Sequence, residues 1–432
     1  MKLNHLQNTD VIFLSCFDHN EGKNSHGLFQ MFEFFNNNLK INSVFVTTYN
    51  SAFKNNTNVF DISNVGAPLT LAHQINSTYI SRTKKHKNSW LNMMSYEEYK
   101  REASKKLIET LPKHRFIVLA DKADIDLNVL EKVMHHFGSK MLFISACNDT
   151  WTGYCAYPEE FNCDKFRTPE GCHAPCPAMK SKAEIHSKNH IDDESLIRAF
   201  QTTNDFVKRN LDSVYLNVGN SFSFKESGES YIFKDVKKFL IPLKNVHPIG
   251  KFEDVWRFKT DQRKKLFEIL KKGNKNAALD KTKFIVFWAA HDISLKRKGI
   301  EYFINSIQIL KNLIKFNRYQ EVLLIVAGQA SDKELANSIQ SLGVPVLLTG
   351  RIDSGMFNCI MAASDVFCST TLSDAGPRTT YESAAAATPI ISFDRSNASD
   401  FVNENNGALI ETYDAKSMAQ AMYRFLNYSH DE

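Results

Sequence analysis

No stretch of this 432-residue chain is long and apolar enough to cross a membrane as a helix. The longest apolar runs, 284–290 and 322–327, have the length of strands, whereas a spanning helix needs about 20 residues. The N-terminal apolar run 11–17 has no basic lead, so it does not resemble a secretory signal. We therefore expect a cytoplasmic protein, with peripheral contact at the inner membrane face as one option.

The chain also lacks a strong charge of either sign. Its formal net charge is +5, which favours an anionic substrate or surface without proving one. It has eight cysteines, and in a reducing cytoplasm these are expected to be thiols or metal ligands before disulfides. The length exceeds that of one ordinary core, and the pattern predicts two domains, 1–245 and 246–432.

Both halves alternate short apolar runs with segments of helical periodicity, which predicts parallel sheets and an α/β fold. The second half is the more regular one: strands are expected at 284–289, 322–327, 346–348, 366–369 and 390–393, with helices between them. This order is typical of a doubly wound, Rossmann-like domain, which binds ligands beyond the carboxyl ends of its strands.

The segment LSDAGPRTTYESAAAATPII, residues 372–391, carries the most specific signal. Asp374 lies in the loop after one expected strand, and Glu382 lies in the helix that follows. Both carboxylates can therefore reach one polyhydroxylated ligand. Gly376 between them permits a close backbone approach. Two acids around a Gly-Pro loop can equally be a solvated turn.

This segment resembles the E-x7-E motif of retaining glycosyltransferases with the GT-B fold, in family 4. The likeness is closest to the colanic-acid and exopolysaccharide subgroup. The resemblance implies two Rossmann-like doubly wound domains facing a central cleft and a nucleoside-diphosphate sugar as donor. It also implies that Asp374 contacts the donor sugar and Glu382 the ribose. The family usually has Glu at the first position, so Asp374 alters that contact.

A second segment, FWAAHDISLKRKGIEYFINSIQIL at 287–310, resembles the family's strand, loop and helix. Lys298 falls at the expected helix start, where an ammonium and the helix dipole would neutralise a departing diphosphate. The alternative is a solvated lysine in a basic run. The family's arginine at the preceding strand end is absent, and Arg297 or Arg378 is expected to substitute. Arg351 falls near the expected site of the base.

A third segment, residues 143–177, resembles the same subgroup through a turn that precedes a four-cysteine loop. Asp149 matches the turn, but Asn148 stands where the family has histidine, so proton transfer by that residue is lost. With Lys298 and Asp374, these two residues complete the predicted catalytic set. Trp151 and Gly153 are predicted to contact the acceptor.

The Cys-rich loop, residues 149–177, has the spacing C-x7-C-x8-C-x3-C. Four thiolates can close a tetrahedral zinc site, and packed thiols and disulfides are the alternatives. A structural zinc is therefore one expectation, while no cofactor is expected for catalysis. The four candidate ligands are Cys155, Cys163, Cys172 and Cys176.

In the first loop, Gly22 and Lys23 occupy the place of the family's acceptor-facing glycine-rich loop, although a turn without a ligand fits as well. The N-terminal domain is therefore expected to bind a glycan or lipid-linked glycan. The basic loop 82–90 also allows phosphates, so DNA with hydroxylated or already glycosylated bases is a second candidate acceptor. A sugar-nucleotide epimerase and a non-catalytic nucleotide-sugar binder are the remaining alternatives.

Overall fold

The computed structural model divides the chain into two compact units, Met1–Asn245 and Val246–Glu432. None of its described helices has the length and apolarity needed to cross a membrane. The residues that the structure describes are 10–15, 36–37, 39–41, 43–47, 59–61, 101, 104–105, 107–109, 111, 116–120, 126–144, 149–153, 158, 162–173, 175, 177, 193–241, 255–273, 284–314, 319–374 and 376–427.

The N-terminal unit is built on a parallel sheet of seven described strands in the order β3-β2-β1-β4-β5-β6-β7. The sheet starts at β1 and grows in both directions, which is the arrangement of a doubly wound domain. The strands are β1 Val11–Ser15, β2 Ser43–Thr47, β3 Val59–Asp61, β4 Ile117–Ala120, β5 Lys140–Ile144, β6 Val214–Val218 and β7 Lys237–Leu240.

Two of the described helices of this unit begin at a residue whose side chain caps the helix. In the first, Asp126 accepts from the backbone N–H groups of Asn128 and Val129, and Gly138 ends the helix with φ 61°. The helices are α1 Leu127–Phe137, α2 Asp149–Thr152, α3 Asp193–Arg209 and α4 Ser221–Glu229.

The C-terminal unit has a parallel sheet of six described strands in the order β10-β9-β8-β11-β12-β13. The chain moves outward from β8 on one side and then returns to β11 on the other, so the order reverses between these two strands. The strands are β8 Phe284–Asp292, β9 Val322–Gln329, β10 Val346–Gly350, β11 Val366–Ser369, β12 Ile390–Phe393 and β13 Gly407–Ile410.

Helices cover both faces of this second sheet. On one face Val286, Trp288 and Leu324 pack with residues of α6 and α11, and on the other Ile285 and Phe287 pack with residues of α5 and α8. Burial on both faces explains why these strands are continuously apolar. The helices are α5 Val255–Gly273, α6 Ile300–Leu313, α7 Lys333–Gln340, α8 Ser354–Ala363, α9 Arg378–Ala385, α10 Ala398–Phe401 and α11 Ala415–Asn427.

A partly buried lysine ties α5 to α8. The Lys259 ammonium donates to the carbonyl oxygens of Ala362 and Ser364 at 3.0 and 2.9 Å and to Thr388 Oγ1 at 2.9 Å. It thereby satisfies carbonyls at the end of α8, which have no partner within their own helix. Burial lowers the pKa of Lys259 to about 8, and the neighbouring Asp365 only partly offsets this effect.

Lys259 should make the stability of the chain depend on pH. Between pH 8 and 10.5 the unfolded chain holds a proton that the folded chain has lost, so the free energy of unfolding rises with pH. We expect wild type to gain roughly 3 kcal/mol over Lys259→Met across this window. Urea unfolding of both proteins at pH 8 and pH 10.5 measures the difference, in which other titrating groups cancel. Lys272→Met, at an exposed position of α5, should behave as wild type. If the free energy of unfolding changed by the same amount between pH 8 and pH 10.5 in all three proteins, the lowered pKa of Lys259 would be contradicted.

Candidate active site

The candidate site lies where the strand order of the C-terminal unit reverses. β8 and β11 are neighbours in the sheet, and their chains continue into different helices, α6 and α9. In parallel sheets, the loops at such a reversal line a crevice that commonly binds ligands. The predicted donor residues Lys298 and Asp374 lie on these two loops, one after each strand.

A glycine allows the two loops to touch. Gly299 has φ 64°, a left-handed conformation that side chains disfavour, and it separates the 3-10 turn Lys296–Lys298 from α6. A Cβ added to Gly299 would lie 2.2 Å from the carbonyl oxygen of Thr370 on the second loop. Both the backbone angle and the close approach therefore require glycine here. As a result, Lys298 lies in the turn before the helix, and the predicted start of α6 at Lys298 is corrected to Ile300.

Hydrogen bonds fix one loop against the other. The indole Nε1 of Trp288 donates to Thr370 Oγ1 at 3.0 Å, and the Thr370 hydroxyl donates to the Lys298 carbonyl at 2.8 Å. The backbone N–H of Leu372 donates to the Arg297 carbonyl at 2.8 Å. Trp288 and Thr370 are buried, so these bonds are shielded from water.

This arrangement brings three predicted residues into direct contact. Asp374 Oδ2 lies 2.6 Å from Lys298 Nζ and 2.9 Å from Arg297 Nη1. The three side chains are only 13–16% exposed, so the charges interact more strongly than they would on an open surface. Two cations and one carboxylate thus meet at the carboxyl ends of β8 and β11. The cluster can hold an anionic group through the cations and a hydroxyl through the carboxylate.

The other predicted donor residues lie on or beside α9. Glu382 Oε1 is 2.8 Å from Arg378 Nε, one helical turn earlier, and Glu382 is largely buried whereas Arg378 is partly exposed. Gly376 has φ 112°, a backbone conformation that favours glycine. Arg378 thus pairs with Glu382, whereas Arg297 pairs with Asp374 beside Lys298. Of the two arginines expected to replace the family's arginine, Arg297 is the one that lies next to Lys298.

Arg351 lies immediately after β10, near the outer part of the same sheet edge. Its side chain is exposed and donates to the imidazole of His291, which belongs to β8. This contact joins the ends of two strands that flank β9. The predicted contact of Arg351 with the nucleotide base stays a prediction.

In the N-terminal unit two predictions need correction. Trp151 on α2 has no accessible surface, and its carbonyl accepts from Ser230 Oγ at 2.5 Å. The indole therefore has no face open to an acceptor. Gly153 is buried with φ 94°, and an added Cβ would lie 2.8 Å from the Phe200 ring. Both residues pack the core of this unit, in place of the predicted acceptor contact.

The remaining acceptor-side residues are described only in part. The backbone of Asp149 opens α2, which lies after β5. Asn148, Gly22 and Lys23 lie outside the described residues. Their predicted roles stay predictions.

The Cys-rich loop is described in part, and protein contacts anchor that part. Phe166 is buried, its carbonyl accepts from the Tyr231 N–H at 3.0 Å, and Lys165 donates to the carbonyls of His173 and Pro175. Cys163 and Cys172 are half-buried. The described residues contain no cluster of three or more His, Cys, Asp or Glu side chains suited to a metal. Cys155 and Cys176 lie outside the described residues, so the zinc site stays a prediction.

Sequence reasoning missed four residues that shape the site. Trp288 and Thr370 hold the Lys298 turn, and Ser396 and Asn397 contact the Asp374 loop from the segment after β12. Their side chains act through contacts between segments that are far apart along the chain. No spacing rule could have linked them to the motif.

Residues 282–428 match the protein family described as glycosyl transferases group 1. The matched range contains every donor-side residue discussed above. No curated protein matches the chain in sequence.

Solved structures resemble the chain over nearly its whole length. Sucrose-phosphate synthase from Thermosynechococcus elongatus has a TM-score of 0.57 at 12% identity. Anabaena Alr3699/HepE in complex with UDP and glucose has 0.55 at 13%. WaaG, a glycosyltransferase involved in lipopolysaccharide biosynthesis, has 0.52 at 14%. Each comparison covers 97% of this chain and 90% of the other.

At these identities the structural likeness shows the fold alone. It confirms the predicted pair of Rossmann-like domains of the GT-B class. The prediction of a glycosyltransferase is confirmed by the family match, which covers residues 282–428.

Proposed function

We propose that this protein is a retaining glycosyltransferase that moves a sugar from a nucleoside-diphosphate donor to a hydroxyl of a glycan or lipid-linked glycan. The observation that supports this most is the contact of Asp374 with Lys298 and Arg297 at the strand-order reversal. It lies within the residues that match a glycosyltransferase family. The proposal includes membership of family 4 and its exopolysaccharide subgroup, which the sequence resemblance implies.

Lys298 and Arg297 would bind the diphosphate. As the bond between the anomeric carbon and the phosphate oxygen breaks, negative charge grows on the leaving diphosphate. Two largely buried cations stabilise that charge once they exchange Asp374 for the diphosphate, which lowers the barrier. This role is the one that a metal ion serves in other transferases, and the proposal therefore includes no catalytic metal.

Asp374 would bind the sugar. When the diphosphate takes over the two cations, the carboxylate becomes available to accept hydrogen bonds from sugar hydroxyls. Glu382, one turn into α9, would bind the ribose, and Gly376 would let the backbone approach the sugar. The acceptor hydroxyl forms the new bond to the anomeric carbon on the face that the diphosphate leaves, and its proton passes to a phosphate oxygen. The configuration of the sugar is thereby retained.

The acceptor would bind the N-terminal unit through residues 18–27, 82–90 and 148–149, in a compartment such as the cytoplasm or its membrane face. The acceptor class follows from the sequence resemblance. Anabaena Alr3699/HepE is described with UDP and glucose, and WaaG with lipopolysaccharide biosynthesis. These neighbours agree with a sugar donor and a glycan acceptor, whereas none of the reported matches supports an acceptor on DNA.

Thermal-shift measurements with UDP-, GDP-, ADP- and CMP-sugars test the donor class, because a ligand that binds the folded state raises the Tm. The donor that raises the Tm is then incubated with glycan acceptors, and NMR of the product gives the anomeric configuration. Retention supports the proposal and inversion contradicts it. Conversion of the donor sugar without an acceptor would indicate an epimerase, and binding without transfer or hydrolysis a non-catalytic binder.

Glu382→Ala should weaken donor binding. Loss of charge-assisted hydrogen bonds to the ribose costs about 1.5–3 kcal/mol, which corresponds to roughly a 10- to 100-fold higher Kd. Isothermal titration calorimetry with the donor measures this change. Glu268→Ala, an exposed acid on α5, provides the matched control and should bind as wild type does. Equal Kd values for Glu382→Ala and wild type would remove Glu382 from the donor site.

A further inference from the structure

The segment after β12 contacts the Asp374 loop, although nothing in the motif includes it. Ser396 and Asn397 lie in the segment between this strand and α10, and both are buried. β12 lies next to β11 in the sheet, so its carboxyl end brings these residues beside the loop that follows β11. Polar side chains are rarely buried without a hydrogen-bonding purpose.

Ser396 binds the backbone of the carboxylate residue itself. Its hydroxyl donates to the carbonyl oxygen of Asp374. Ser396 has φ 55°, a left-handed conformation that is uncommon for any residue other than glycine. Such a conformation is costly and persists where the surrounding contacts require it. The bond restrains the peptide that carries the Asp374 side chain.

Asn397 holds the other end of the same loop. Its amide Nδ2 donates to Thr380 Oγ1 at 2.8 Å and to the Pro377 carbonyl at 3.2 Å. Thr380 Oγ1 in turn donates to the Pro377 carbonyl at 2.7 Å. Asparagine at a helix start usually caps its own helix, but the side chain of Asn397 makes no capping bond to α10. Its amide is used on the neighbouring loop.

The loop is thus held from two directions. From the turn after β8, the Arg297 carbonyl accepts the N–H of Leu372, two residues before the carboxylate. From the segment after β12, Ser396 and Asn397 bind Asp374 and Pro377. Stacking of Tyr381 on Phe401, with ring centroids 5.3 Å apart, further joins α9 to α10.

We infer that Ser396 and Asn397 are positioning residues of the glycosyl transfer, acting through Asp374. The inference rests on the proposed function. Their contacts set the position of the carboxylate against the transferred sugar, whereas the nucleoside diphosphate is held by other groups. Their loss should therefore lower kcat and the contribution of the sugar to binding, and leave the affinity for the nucleoside diphosphate unchanged.

Ser396→Ala tests this inference, because it removes the hydroxyl and keeps the Cβ and the backbone. We expect kcat to fall about 10-fold, in line with the loss of one hydrogen bond at a buried site. The donor KM should change less than kcat. By calorimetry, the Kd of the nucleoside diphosphate should stay constant while the Kd of the nucleoside-diphosphate sugar rises. The ratio of the first Kd to the second should therefore fall. Asn397→Ala should act in the same direction.

A double-mutant cycle separates positioning from general stability. In an Asp374→Asn background, Ser396→Ala should lower kcat no further, because the group through which it acts is already altered. Ser306→Ala is the matched control: this serine is also buried and donates to one carbonyl, that of Phe303, within α6. It should lower the Tm without lowering kcat.

Two results would overturn the inference. The first is an unchanged kcat and an unchanged Kd ratio in Ser396→Ala. The second is a decrease in kcat of equal size in both backgrounds, which would indicate an effect that does not pass through Asp374. Wild type that neither binds nor transfers any nucleoside-diphosphate sugar would instead contradict the proposed function itself.

Discussion

Lys298→Ala is expected to lower kcat by about 10²–10³-fold, the typical cost of removing one group that stabilises charge in a transition state. Lys298 is the cation closest to Asp374, at 2.6 Å, and its side chain is largely buried. Alanine therefore removes a charge that solvent does not replace. Since diphosphate charge grows as the sugar departs, the loss should appear in kcat more than in the donor KM.

The same basic run provides the control for this prediction. Lys296 lies two residues earlier and is exposed. Lys296→Ala removes the same charge from the same turn, so it should retain turnover close to wild type. Initial rates with saturating donor and acceptor give kcat for all three proteins. If Lys298→Ala had the same kcat as Lys296→Ala, Lys298 would be a solvated lysine of the basic run with no part in the chemistry.

Gly299→Ala is expected to cost about 3 kcal/mol of stability or more and to abolish most turnover. The left-handed backbone alone costs roughly 1 kcal/mol for alanine. The larger part comes from the Cβ, which would lie 2.2 Å from the Thr370 carbonyl oxygen. To relieve this contact the two loops must separate, and Lys298 then moves away from Asp374.

Gly350 separates the backbone cost from the steric one. It has φ 66°, almost the same angle, but an added Cβ there would meet no atom within 4 Å. Gly350→Ala should therefore cost only about 1 kcal/mol. Urea unfolding of both variants measures the two costs. Equal losses of stability would mean that the loops at Gly299 adapt to a side chain, and that their close contact is not required.

Much of the C-terminal fold could be predicted because its strands are buried on both faces. Strands β11 and β12 were predicted with their observed bounds, and α6 lies between β8 and β9, where a helix was expected. The exact start of α6 could not be predicted, since it depends on the left-handed Gly299 and on Thr370, 71 positions away.

Elements with mixed polarity were harder to predict. Residues 255–273 mix basic, polar and apolar side chains, yet they form the single helix α5. Its many basic residues obscure a face that carries the buried Leu266 and the partly buried Lys259. β13 was missed because Gly407–Ile410 is short and begins with glycine.

In the site itself, the two segments were expected to bind one donor through Lys298 and Asp374, because such motifs mark loops at strand ends, and the two side chains lie 2.6 Å apart. Burial could not be predicted in the same way. Trp151 was assigned to the acceptor by resemblance, although the packing of α2 encloses its ring. The roles of Ser396 and Asn397 depend on β12 lying beside β11, which the sequence order alone does not state.

The hydrogen bond from the Trp288 indole to Thr370 has a practical consequence. Indole emission responds to the polarity and hydrogen bonding around its ring, and Thr370 is in direct contact with the backbone of Lys298. A variant that keeps tryptophan only at position 288 would therefore carry an intrinsic fluorophore that is linked by hydrogen bonds to the turn containing Lys298. Its spectrum could follow loop rearrangement during ligand binding in real time, without any added label.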